Sequence, residues 1–114
     1  MNLTIFELPG AELALRRCLK LRRGVDPRDM RTPDVRFVIA FTTPDGSFCT
    51  AGADSEEQML GIFERIYRVA YRHRVKGLRY NHSVQAATLR RLGAFIEELQ
   101  AKCASEARAA RRLH

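Results

Sequence analysis

The most regular hydrophobic pattern in the chain lies between Asn81 and Leu113. Apolar residues recur there at intervals of three and four, and no proline interrupts them: Leu89, Leu92, Phe95, Ile96, Leu99, Cys103, Ala107 and Ala110. This spacing predicts one long amphipathic helix, opened by the polar residues Asn81, His82 and Ser83. Such a helix would extend about 45 Å, farther than a small domain is wide, so we expect a second chain to cover part of it.

Two shorter stripes with the same spacing predict two more helices. The first helix runs over about 10–23 and ends at Gly24, a residue type that commonly follows a helix. The second runs over about 56–73, and a capping box is available in two registers, Asp54 with Glu57 or Ser55 with Gln58.

Strand-forming residues lie on both sides of Pro44-Asp45-Gly46, a sequence that suits a type I turn. They predict a β-hairpin within 36–53, and the stretch Leu3–Leu8 is predicted to be a short strand or an extended arm. Two strands alone are barely stable, so the hairpin needs a third strand, a covering helix or a second copy. Segment 25–34, with two prolines, is predicted to be a loop.

The order β-α-ββ-α-α predicts a single α+β domain over 1–114. A short hairpin, with or without Leu3–Leu8 as its third strand, would pack on helices, and the long amphipathic helix would come last. The hydrophobic content of 46% excludes a disordered chain, and no apolar run reaches the roughly 18 residues of a membrane span. Without a recognisable signal peptide, the chain is expected in the cytoplasm and away from membranes.

Twenty basic residues face thirteen acidic ones, which gives a formal net charge of +7. The excess is uneven, because the sequence between Glu64 and Glu97 contains no acidic residue. A basic stretch of this kind indicates an acidic partner: a protein, a nucleic acid or a membrane surface.

No arrangement of residues predicts catalysis, a cofactor or a metal. The three cysteines (Cys18, Cys49, Cys103) are far apart and are interpreted as structural thiols. A Cys49–His82 pair lacks a third orienting group, and His82 is interpreted as a helix cap. We therefore expect a protein that is not an enzyme and binds no cofactor or metal.

The excess length of the last helix favours a protein partner, with homodimerisation as one form of it. Apolar residues of this helix would be the anchors and two arginines their rim: Leu89, Leu92, Phe95, Ile96 and Leu99, with Arg90 and Arg91. Gly93, unusual within a helix, is interpreted as the site of a close helix crossing.

The alternative function is a nucleic-acid-binding module that uses the Arg65–Arg91 stretch. Its basic patch would consist of six residues: Arg65, Arg68, Arg72, Arg74, Lys76 and Arg79. Aromatic residues interleaved with these arginines are limited to Tyr67, Tyr71 and Tyr80.

In length, arginine-rich composition, α+β order and absence of a catalytic motif, the chain resembles the small quorum-sensing antiactivators of pseudomonads. The resemblance extends over the whole chain and concerns its general build. It implies a regulator of transcription that binds the ligand-binding domain of a LuxR-type receptor and blocks receptor dimerisation and DNA binding.

Overall fold

Strands and helices alternate along the chain in the computed structural model, which describes residues 1–20, 35–72 and 78–112. The elements are β1 (Asn2–Glu7), α1 (Glu12–Lys20), β2 (Phe37–Thr42), β3 (Phe48–Ala53), α2 (Glu56–Arg72), β4 (Arg79–Ser83) and α3 (Ala86–Arg112). This confirms the predicted α+β class and the long last helix. The predicted loop 25–34 and the helix end at Gly24 lie outside the described residues.

The strands form one mixed sheet in the order β3-β2-β1-β4. The predicted hairpin is present, since β2 and β3 pair antiparallel, and β1 pairs antiparallel with β2. The stretch beginning at Leu3 is therefore the third strand that the hairpin needs. The fourth strand, β4, pairs parallel with the other side of β1.

The sequence did not predict β4, and the expected start of the last helix is wrong. Asn81, His82 and Ser83 belong to this strand, so His82 is not a helix cap, and α3 begins only at Ala86. The strand is almost entirely exposed and has no apolar alternation, the usual signal of a strand. Its conformation depends on backbone pairing with β1, which a local sequence pattern does not reveal.

The two faces of the sheet carry separate hydrophobic clusters. Side chains of β1, β2 and β3 pack with α2 and α3 on one face: Leu3, Ile5, Phe37, Ile39 and Ala53 with Met59, Phe63, Ile66, Leu92, Ile96, Leu99 and Cys103. On the other face, α1 packs on alternate residues of β1 and β2: Ala11, Leu15 and Leu19 with Phe6, Val38 and Ala40. The period of two along each strand thus supplies both clusters.

The predicted turn residues and one predicted capping pair form the expected hydrogen bonds. In the hairpin, the backbone N–H of Gly46 donates to the carbonyl of Thr43 over 2.9 Å, and Gly46 has a φ of +88°, which glycine tolerates. At the start of α2, the backbone N–H of Gln58 donates to the hydroxyl of Ser55 over 3.1 Å. Of the two capping registers, the chain therefore uses Ser55 with Gln58.

Helices α2 and α3 lie side by side and run in the same direction. Near their starts, Arg91 of α3 contacts Glu56 of α2 over 2.6 Å. Farther along both helices, Arg68 of α2 contacts Glu106 of α3 over 2.8 Å. The C-terminal ends of both helices therefore lie at the same end of the molecule, which is also where β4 begins, at Arg79.

Candidate functional site

The predicted protein-binding anchors on α3 mostly serve the core of this chain. Leu92, Ile96 and Leu99 are buried against the sheet and α2, so none of them is available to a partner. Leu89 and Phe95 are half-buried. The physical reason is that the parallel packing of α2 and α3 covers the stripe with the domain itself, which the length of the helix did not reveal.

The apolar stripe of α3 is no longer covered by the domain near the C-terminal end of the helix. Its last buried residue is Cys103, and the helix continues over 104–112 with exposed or half-buried side chains. The exposed residues there include Arg108, Arg111 and Arg112. The surplus length predicted from the sequence is therefore present, but it is an alanine- and arginine-rich segment and not the predicted leucine-rich anchors.

Three tyrosines come together at this same end of the molecule. On α2, Phe63, Tyr67 and Tyr71 follow one another at intervals of four, and their rings stack with centroids 6.3 and 6.2 Å apart. Tyr80 of β4 meets the ring of Phe63 edge-on, with centroids 6.2 Å apart. Tyr71 is 44% exposed and Tyr80 38% exposed, so both rings present surface to solvent.

A cleft of about 240 Å³ opens beside these rings. We call it the tyrosine cleft; its lining residues are Tyr67, Ala70, Tyr71, Leu78 and Gln100. The walls are aromatic and aliphatic, and Gln100 of α3 adds one side-chain amide. Burial, with the nearby Cys103 thiol and Tyr71, raises the pKa of Tyr67 above its ordinary value, so its phenol stays protonated and neutral at physiological pH.

Two exposed arginines lie on the same helices but outside the lining of the tyrosine cleft: Arg72 on α2 and Arg111 on α3. Arg72 follows Arg68 by four residues, so it lies on the side of α2 that contacts α3. On α3, Arg111 shares the helical face of Gln100, because positions 100, 104, 107 and 111 are spaced by three and four. Within the part of the chain that the structure describes, neither Arg72 nor Arg111 forms a salt bridge.

Arg68 engages two carboxylates of these helices. It contacts Glu64 over 3.4 Å and Glu106 over 2.8 Å. The hydrogen bond from Arg68 holds the pKa of Glu106 below its ordinary value, so this carboxylate stays ionised and paired. Glu97, three residues before Gln100 on α3, is exposed and adds negative charge on the same side of that helix.

Only part of the predicted basic patch consists of exposed arginines without an ion pair among the described residues. Arg65, Arg72 and Arg79 are exposed, whereas Arg68 is tied to Glu64 and Glu106. Arg74 and Lys76 lie outside the described residues. Of the predicted rim on α3, Arg90 is exposed and Arg91 is paired with Glu56.

Two members of this site could not be predicted from the sequence. Gln100 lies on the polar side of the predicted amphipathic helix, where no feature of the sequence marks it as a site residue. Tyr80 contacts Phe63 of α2 only because β4 places it there. Tyr67 and Tyr71, by contrast, are predictable neighbours, because residues four apart on a helix lie one above the other.

A second, larger cleft, of about 430 Å³, lies at the opposite end of β4 and includes His82, Ser83, Gln85 and Glu7. The Glu7 carboxylate is buried and accepts hydrogen bonds from the backbone N–H of Gln85 (2.7 Å) and the hydroxyl of Thr88 (3.1 Å). These contacts occupy the carboxylate in capping α3, which assigns it a structural role.

Among residues 1–20, 35–72 and 78–112, no three His, Cys, Asp or Glu side chains gather in a metal-binding arrangement. None of the helices in these ranges combines the length and the apolar character needed to cross a membrane. Comparison of the chain with known proteins found no matching family model, no similar curated protein and no similar solved structure.

Proposed function

We propose that this protein binds single-stranded nucleic acid at the tyrosine cleft. The observation that carries the proposal is the group of exposed tyrosine rings beside a cleft, on helices that also carry the exposed arginines Arg72 and Arg111. Proteins that bind single strands use this combination: bases stack on aromatic rings, and basic side chains follow the phosphates. The formal charge of +7 adds long-range attraction for a polyanion.

A single strand fits this site better than a duplex does. Tyr71 is stacked on Tyr67 by one face and is 44% exposed, which leaves ring surface for a base. Bases in a duplex are already stacked on one another and do not offer their faces. We therefore expect single strands to bind more tightly than duplexes of the same length.

The proposal is tested by fluorescence anisotropy with labelled oligonucleotides and the full chain. Tyr71→Ala removes a stacking platform and is expected to weaken binding by about 1–3 kcal/mol. Tyr71→Phe keeps the ring and should bind like the wild type. If Tyr71→Ala binds as tightly as Tyr71→Phe, stacking at this position is not used.

A charge-matched pair of double variants tests the role of the arginines. Arg72→Glu with Arg111→Glu should weaken binding strongly, whereas Arg16→Glu with Arg17→Glu changes the net charge equally on α1, across the sheet. Each lost phosphate contact should also reduce the slope of log affinity against log salt by about 0.7. Equal weakening by both pairs would show attraction by net charge alone and would contradict a site at the cleft.

A second candidate function is favoured by the free end of α3. A helix that continues past its last buried residue can add its surface to a partner, either another copy of this chain or another protein. We propose as this alternative a small regulatory protein that binds a transcription factor of the LuxR type, as the resemblance to the antiactivators implies. Tyrosine and arginine are also the residues that dominate protein interfaces.

Salt and chain length separate the two functions. A protein complex that survives about 200 mM salt, at which phosphate contacts are strongly weakened, and that is lost when residues 108–114 are removed would support the alternative. Sedimentation of the full and shortened chains would show whether the partner is a second copy. Oligonucleotide binding that the Tyr71→Ala change removes would favour the first proposal.

A further inference from the structure

We infer that the tyrosine cleft holds one unstacked base and that the side-chain amide of Gln100 reads the edge of that base. The inference rests on the proposed function and deepens it, because it assigns a base preference to the site. Stacking alone tolerates any base, since every base has an aromatic face. A preference therefore requires a polar group placed beside the stacking platform.

The volume and the lining of the cleft suit a single planar ring system. Its volume of about 240 Å³ is below the roughly 300–1,000 Å³ of clefts that take drug-sized ligands. Rings from Tyr67 and Tyr71 line it together with the aliphatic side chains of Ala70 and Leu78. These groups offer a base its preferred surroundings but no means of distinguishing one base from another.

Gln100 supplies the missing polar group. It is exposed, it lines the cleft, and its amide makes no hydrogen bond with other described residues. A primary amide carries a donor and an acceptor side by side. Adenine presents the complementary pair, an amino group beside a ring nitrogen, and glutamine and asparagine pair with it in two hydrogen bonds.

The flanking charges agree with this occupant. Arg111 lies on the same helical face as Gln100, eleven residues or about 16 Å farther along α3, and Arg72 ends α2, so both exposed cations would attract the phosphates of a strand that continues past a bound base. An aromatic side chain of a protein partner could enter the same cleft, but it would bring neither flanking phosphates nor a base edge for the amide.

The test compares labelled homopolymer single strands of the four bases, as DNA and as RNA, at one salt concentration. Wild-type protein should bind adenine strands roughly tenfold more tightly than the others. Gln100→Ala should lower the affinity for adenine strands to that for the other three, and Gln100→Arg should move the preference to guanine, which pairs with arginine in two hydrogen bonds. Ser105→Ala, an exposed change on another side of α3, is the control and should keep the wild-type preference.

The outcomes separate the inference from the proposed function. Equal binding of all four strands, or an adenine preference that survives Gln100→Ala, would overturn the inference while single-strand binding stands. Absence of binding to every strand would overturn both. Because Gln100 is exposed and alanine favours helices, circular dichroism should show that these variants remain folded.

Discussion

The Glu7 side chain connects β1, near the start of the chain, to the beginning of α3. It is only 7% exposed, yet it is a carboxylate, and such a group is stable in the interior only when hydrogen bonds compensate for the lost water. Its partners are the backbone N–H of Gln85, 78 positions later, and the hydroxyl of Thr88, so a residue of β1 caps the start of α3. The positive end of the α3 dipole adds to this stabilisation.

We predict that Glu7→Ala destabilises the protein by about 1–3 kcal/mol, because two buried donors at the start of α3 lose their acceptor. Glu7→Gln keeps one acceptor oxygen and should cost less. Urea unfolding followed by circular dichroism measures both values. Equal stability of Glu7→Ala and wild type would mean that water replaces the carboxylate without loss.

Among the elements, α2 and α3 each contain a glycine that nothing in the described structure requires. A methyl group added at Gly61 or at Gly93 would meet no atom within 4 Å. Within this chain, therefore, no helix crosses closely at Gly93, and a close crossing with a partner's helix stays a prediction. Glycine within a helix instead lowers its stability, because the unfolded chain gains more conformational freedom.

We predict that Gly93→Ala raises the free energy of unfolding by about 0.5–1 kcal/mol, and that Gly61→Ala does so by a similar amount. Urea unfolding of each single variant and of the double variant is the measurement. The two effects should add, because the sites lie on different helices. Gly46→Ala serves as the opposite control, since its φ of +88° disfavours any side chain, and it should destabilise the hairpin.

The elements also show what the sequence could predict. Amphipathic spacing located the three helices, and the hairpin followed from its turn residues. The sequence offered Ser55 with Gln58 as one of two capping registers and did not choose between them. Neither β4 nor the burial of Leu92, Ile96 and Leu99 within this chain could be predicted, because both depend on contacts between distant segments. For the same reason Gln100 was not predicted as a candidate site residue.

At the scale of the whole molecule, the longest dimension is 49 Å and the shortest 19 Å. The chain buries α3 only as far as Cys103, so the last turns of this helix contribute little to the core. They do carry positive charge to the end where the tyrosine cleft lies.

We predict that removing residues 108–114 leaves the free energy of unfolding within about 0.5 kcal/mol of wild type, because the side chains described there, 108–112, are all exposed. The same truncation should weaken oligonucleotide binding, because it removes the positive charge of Arg108, Arg111 and Arg112. Thermal unfolding and anisotropy measure the two effects. A large fall in melting temperature would show that the end of α3 is structurally required.

The pairing of β1 with β4 has a consequence for how the protein is made. β1 is apolar and lies inside the finished sheet, but its two neighbours are synthesised far apart, since β2 ends at Thr42 and β4 only at Ser83. At roughly 5–20 residues per second, a ribosome leaves one side of β1 without its partner for several seconds. During that interval the nascent chain carries an open strand edge, the kind of surface on which chains aggregate. In the finished sheet, the exposed and polar strand β4 pairs with that edge and leaves β1 with no open side.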